Sequence, residues 1–173
     1  QISAFAGVAQ RTFLHHFATK DDLLFDGYAD RLDQATHRFR ASRSTSLWGA
    51  LAEASAAVAE AITAQPDIFL VRARMYARHP ALRATRLRIN DDWIDQMTVE
   101  VAHRLDTDPE TDLRPRLAVS VVNGANRAAI DTWVAHDGQG DLVESMAQAI
   151  ELLRPSITRI ERLLRAERDR RVG

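Results

Sequence analysis

Cysteine is absent from the 173 residues, which removes disulfide staples, thiolate metal sites and cysteine nucleophiles together. Lysine is almost absent too, since Lys20 stands alone beside 22 arginines, a compositional habit with little functional content. The 7 glycines and 5 prolines fall at segment edges, and no alternating strand pattern persists between them. No apolar run approaches the ~20 residues of a membrane span, and no charged-apolar-small leader opens the chain. A soluble, cytoplasmic protein without membrane attachment is the expectation. Formal charge is only -1, so the molecule does not coat nucleic acid as a polycation, and any DNA contact must come from a local patch.

What is present points to helices. A hydrophobic share of 46% is enough to bury a core, which excludes disorder despite 27% charged residues. The length suits one domain, or a small domain fused to a moderate one. Two short helices broken at Gly7 are expected up to Phe17. Thr19 then caps a longer helix to about Ser42, with Asp22 three residues on in a capping-box-like position. Arg43 to Ser46 is a polar linker. A helix from Leu47 to Ala64 is rich in alanine, which favours helicity and close packing. Pro66 and Pro80 open the next two helices at the first-turn position where proline is tolerated. Asp108-Pro109 restarts the chain for a long helix ending near Ala135. Gly138 and Gly140 mark a loop, another helix follows from Asp141, and Pro155 breaks or restarts it. The fold class is therefore all-α. A partial head is expected over residues 1–43 and a helical bundle over 46–173. Because Gln1 already sits inside a helical pattern, the head is expected to lack its first helix.

The segment from Ile2 to Leu24 carries the chemistry. Gly7 falls where two short helices must meet at a sharp angle, as in a helix-turn-helix. Phe13 and Phe17 recur one turn apart and would pin the second helix inward, while Arg11 and His15 take the opposite face at ~100° per residue. Residues near the start of such a helix reach base edges in the major groove. Gln10 can pair with adenine and Arg11 with guanine, each bidentately. Thr12, His16 and Lys20 suit backbone phosphates, and Lys20 lies at a helix start whose free amides attract phosphate as well.

The block AGVAQRTFLHHFATKDDLL resembles the helix-turn-helix signature of TetR-family regulators, with Gly-Val, a Thr-aromatic pair, His-Phe and a Lys-acid-acid-Leu-Leu run at matching spacing. The resemblance implies Gln10, Arg11 and His15 on the groove-facing side and Thr12, His16 and Lys20 on phosphates. Ala9 stands where a hydroxyl cap is usual, and Leu14 where a phosphate-binding tyrosine is frequent. It further implies a ligand-responsive regulator, a repressor released from a palindromic operator, with the final helices pairing across a two-fold axis in a homodimer. The stretch RHPALRAT and the run from Leu105 to Trp133 also resemble regulators of mycofactocin systems that respond to acyl-coenzyme A, which implies a small hydrophobic or acyl effector.

Within the larger domain, Trp48, Met75, Trp93 and Met97 are candidate effector contacts, beside Phe69, Tyr76 and Trp133 as further bulky lining. Asn123, Asn126 and Arg127 interrupt an otherwise apolar helix and must find partners where buried. A ligand is one such partner, and a helix or dimer contact is another. Other patterns are weighed and set lower. Asp91, Asp92 and Asp95 form a DDxxD sequence able to share hard cations, but no second metal motif accompanies it. Glu100 and His103 make one Glu-x-x-His step where a di-iron bundle needs two. Neither a metal nor a cofactor is expected, and the protein is not read as an enzyme. An enzyme using the three aspartates with magnesium and a helical adaptor docking protein through its N-terminal hairpin remain as rivals. Arg72, Arg74, Arg78, Arg83, Arg86 and Arg88 form an acid-free stretch. Asp22, Asp26, Asp30 and Asp33 form an acidic face, so an electrostatic contact between the two stripes is a further expectation. A grip on an anionic ligand is a second use for the same arginines.

Overall fold

The computed structural model describes residue 25 and residues 27–172, and every regular element among the described residues is a helix, without strands. Seven helices follow in order: α1 (Tyr28–Ala41), α2 (Leu47–Thr63), α3 (Pro66–Arg78), α4 (Pro80–Leu105), α5 (Leu113–Ala135), α6 (Leu142–Glu151) and α7 (Arg154–Val172).

Local chemistry sets most of their ends. Ser46 caps α2, its hydroxyl accepting from Gly49 N at 3.0 Å. Asp141 caps α6 by accepting from Glu144 N at 3.0 Å, and both satisfy amides that have no partner within the helix. Pro66 and Pro80 occupy first-turn positions of α3 and α4. The start of α5 differs from the expectation at Asp108-Pro109. Residues 108–112 form a turn instead, with Asp108 accepting from Glu110 N and Thr111 Oγ1, and the helix begins only after Asp112. Asp112 prevails because it does two jobs. Its carboxylate caps Arg114 N at 2.9 Å and also receives the Arg114 guanidinium as a fork, at 2.8 and 2.6 Å. Arg114 reaches on to Glu167 at 2.8 Å, tying the start of α5 to α7.

α2 is the hub. Its alanines let neighbouring helices approach on several sides, and Ala50 and Ala59 are fully buried. One half of α2, through Leu47, Leu51 and Ala54, joins a core with Phe39 of α1, Met97 and Val101 of α4, Val119 of α5 and Ile157 of α7. The other half, through Ala59 and Ile62, joins Leu70 of α3, Trp133 of α5, and Leu142 and Met146 of α6. Glu161 of α7 accepts from Leu47 N at 2.5 Å, placing a carboxylate on the electropositive start of α2.

The turn after α5 is where glycine is required. Asp137 and Gly138 both take positive φ, and Gly138 N returns to Trp133 O at 2.9 Å. A Cβ on Gly138 would sit 2.8 Å from Leu70 Cδ1 and 3.1 Å from the Trp133 ring. The site therefore refuses a side chain on conformational and steric grounds alike.

Candidate functional site

A partly enclosed cavity lies where five helices meet, and each contributes residues at helical spacing. Tyr28, Arg31 and Leu32 come from α1, Val58 and Ile62 from α2, and Phe69 from α3. Arg86, Leu87, Asn90 and Trp93 come from α4, while α5 supplies Asn123, Asn126, Arg127, Ile130 and Asp131. About 80 Å³ of it is reachable by a water-sized molecule. Wider depressions between α1 and α2, and around residues 105–114, open directly onto the surface.

The lining combines apolar side chains with cationic ones. Three arginines line it against a single acid, Asp131, which pairs with Arg127 at 3.4 Å. The Arg31 guanidinium lies over the rings of Tyr28, at 5.5 Å, and Phe69, at 5.2 Å. Burial lowers the proton affinity of Arg31, and burial likewise pushes the Tyr28 phenol up, against the opposing pull of Arg86, Arg31 and Arg127. Among the described residues, two buried polar atoms of the lining lack a partner: Arg86 Nε and Asn126 Oδ1. Asn126 is otherwise held by its Nδ2, which donates to Ser55 Oγ at 2.9 Å across α5 and α2.

Trp93 links this cavity to α1. Its indole Nε1 donates to Thr36 Oγ1 at 2.9 Å and to Leu32 O at 3.0 Å. A smaller void beneath, lined in part by Met97, shares Trp93, Val58 and Asn126 with the cavity.

Of the expected effector residues, the structure brings Trp93, Asn123, Asn126 and Arg127 together in the cavity wall, with Met97 just below. Trp48 lies elsewhere, its ring under the Arg154 guanidinium at 3.9 Å. Met75 is half-buried on α3 and lines none of this space. Tyr28, Arg31 and Asn90 are not singled out as effector contacts by the sequence, whereas Arg86 belongs to the arginine stretch whose second expected use is a grip on an anionic ligand. Their signal was the i, i+3, i+4 recurrence of polar residues on helices with an apolar face.

Gln10, Arg11, Thr12, His15, His16 and Lys20 lie outside the described residues, as do Asp22 and Asp26 of the acidic stripe. Within the arginine stripe, Arg74 pairs with Asp137 at 2.7 Å and Arg88 with Asp92 at 3.5 Å. Asp95 of the DDxxD sequence pairs with Arg116. Glu100 pairs with Arg40 at 2.6 Å, a hydrogen bond that holds the Glu100 carboxyl below its usual range. Among the described residues, no three His, Asp or Glu side chains cluster in a metal-binding arrangement, and no helix is long and apolar enough to cross a membrane.

A TetR-type family model described as the MftR C-terminal domain matches residues 45–158, which covers α2 to α6 and the start of α7. No curated protein matches the chain.

Proposed function

Because the chain belongs to the TetR family of regulators, with the MftR C-terminal domain as its matching part, we propose that it is a cytoplasmic, ligand-responsive repressor. It works by binding rather than catalysis. Residues 1–43 form the DNA-binding part and 46–173 the effector-binding and dimerising part. Gln10, Arg11 and His15 face the groove of duplex operator DNA, and Thr12, His16 and Lys20 hold its phosphates. A small effector with an apolar body occupies the cavity beside Trp93, Asn123, Asn126 and Arg127.

One observation carries this reading: the cavity wall is hydrogen-bonded to α1, the first of the described helices, through Trp93, Thr36 and Leu32. A ligand that prefers one setting of Trp93 biases the setting of α1, and operator affinity shifts by the same differential binding energy. Two copies pair through α5 and the helices after it, where Leu113, Leu117 and Leu163 are exposed apolar residues. A two-fold dimer suits half-sites about one helical turn apart, or multiples of that.

Selection of bound duplexes from a random pool tests the proposal. A palindromic consensus, with affinity that falls steeply as salt rises, is the expected result. Recovery of no consensus, with binding indifferent to salt, would count against DNA recognition and favour the protein-docking adaptor.

A further inference from the structure

Resting on the effector-sensing reading above, we infer that the cavity selects a slender organic carboxylate, its head taken by Arg31 and Arg86 and its apolar body by the leucine, isoleucine and tryptophan side chains of the lining.

The charge balance is the first ground. Asp131 is engaged by Arg127, and among the described residues neither Arg31 nor Arg86 has an ion pair with a carboxylate. The burial of Arg31 is only partly offset by the charge of Asp30, and a cation taken out of water with so little counter-charge raises the energy of the empty state. An entering anion removes that cost, whereas a neutral ligand leaves it in place.

Unused hydrogen-bonding capacity is the second ground, and it is independent of charge. Arg86 Nε is a buried donor with nothing to receive it. A guanidinium edge matches a planar carboxylate by two parallel N–H donors, which a hydroxyl cannot reproduce. Asn126 presents a second unused atom. Its amide is fixed by Ser55 on one side only, and whichever way round the amide lies, one polar end is left over. A hydroxyl on the ligand body, donor and acceptor at once, meets either orientation.

Size is the third. With about 80 Å³ reachable by water-sized molecules, less than the ~150 Å³ that holds a benzene ring, the space takes a narrow chain only as its lining moves apart, and it keeps a nucleotide-sized head out of the interior. The apolar contacts available to the chain come from Leu32, Ile62, Leu87, Trp93 and Ile130.

The test is isothermal calorimetry on the protein with three probes of equal chain length: octanoate, 3-hydroxyoctanoate and octan-1-ol. Octanoate is expected to bind about tenfold or more tightly than octan-1-ol, with 3-hydroxyoctanoate tighter than octanoate. Arg86→Gln is expected to cost octanoate about tenfold while leaving octan-1-ol unchanged. Equal affinity for octanoate and octan-1-ol overturns the inference, as does the absence of binding by either acid at millimolar concentration. The comparison of probes on the unsubstituted protein stands whether or not the variant folds. The selection of DNA separates the two claims. A consensus duplex released by octan-1-ol and not by octanoate sinks the carboxylate and keeps the regulator. Arg86-dependent octanoate binding without any consensus duplex does the reverse.

Discussion

The indole Nε1 of Trp93 donates to Thr36 Oγ1 at 2.9 Å, so a residue that walls the cavity is fastened to the buried face of α1. Thr36 in turn donates to Leu32 O at 3.0 Å, the same carbonyl that receives the indole. The three groups form a small closed network at the junction of α1 and α4, in a setting where each bond lost leaves a buried partner behind.

Trp93→Phe removes the donor and keeps an aromatic ring in the wall. The expected cost is about 1–2 kcal/mol for the lost hydrogen bonds, seen as a fall of several degrees in the melting temperature. The more telling readout is the ratio of operator affinities with and without effector. That ratio should move toward one in the variant, because the ligand then acts on α4 with less purchase on α1. An unchanged ratio would place the coupling elsewhere.

Asn126 and Ser55 make a second, purely structural test. Ser55→Ala leaves the buried amide of Asn126 with no partner on either end, and a loss of about 1–3 kcal/mol in denaturant unfolding is expected. Replacing both, with Ser55→Ala and Asn126→Leu together, takes the polar pair out as a unit. The double variant should recover part of that loss, since two apolar groups in contact cost less than one stranded amide. If the double variant is less stable than Ser55→Ala alone, the pair is not behaving as an isolated buried hydrogen bond.

Asp112 supplies a pH dependence with a defined sign. The Arg114 hydrogen bonds hold its carboxyl below the ordinary aspartate range, so it is a group whose folded pKa is depressed. Its contribution is fully present above the unfolded value and is lost as pH falls through the lower folded value. Asp112→Asn keeps an oxygen to cap Arg114 N but removes the charge. The variant should be less stable than the parent by about 1 kcal/mol at neutral pH, and the gap should close in acid, below about pH 4. A gap that persists unchanged to low pH would mean that shape, rather than charge, sets the preference at this position.

Much of the fold was legible because its punctuation is local. Pro66, Pro80, Ser46 and Asp141 each do their work within one turn of chain, so a reading of residues in order finds them. The start of α5 was not legible at the same level. Asp108 and Asp112 are both good caps, and the choice between them is made by Arg114, whose other end rests on Glu167, 53 residues away. The cavity was partly legible for a similar reason. Asn123, Asn126 and Arg127 stand out as polar residues on an apolar helix. Arg31 looks like an ordinary surface arginine, and Arg86 is one of six in an acid-free stretch, until α1 and α4 are laid against each other. Trp48 shows the converse. Bulk alone drew attention to it, yet its ring packs under Arg154, because composition does not say which face of the bundle a side chain will meet.

The proposed dimer surface gives the last prediction. Leu113 and Leu117 lie one turn apart on α5 and are 70% and 45% exposed. Gly124 falls on the same side two turns later, with open space where a Cβ would be. Two exposed leucines followed by a smooth position suit the close approach of a second α5 in the proposed homodimer, where the helix would pair with its own copy across a two-fold axis. Leu117→Glu would set two carboxylates near that axis, where burying them without partners costs several kcal/mol. The side chain is exposed in the single chain, so helicity and melting of the monomer should change little. Sedimentation should report a shift from dimer to monomer at micromolar concentration. Operator affinity should drop with it, since two half-sites are then bound by unlinked copies. A dimer that survives this substitution would move the interface away from the first half of α5, with α6 and α7 as the next surfaces to probe.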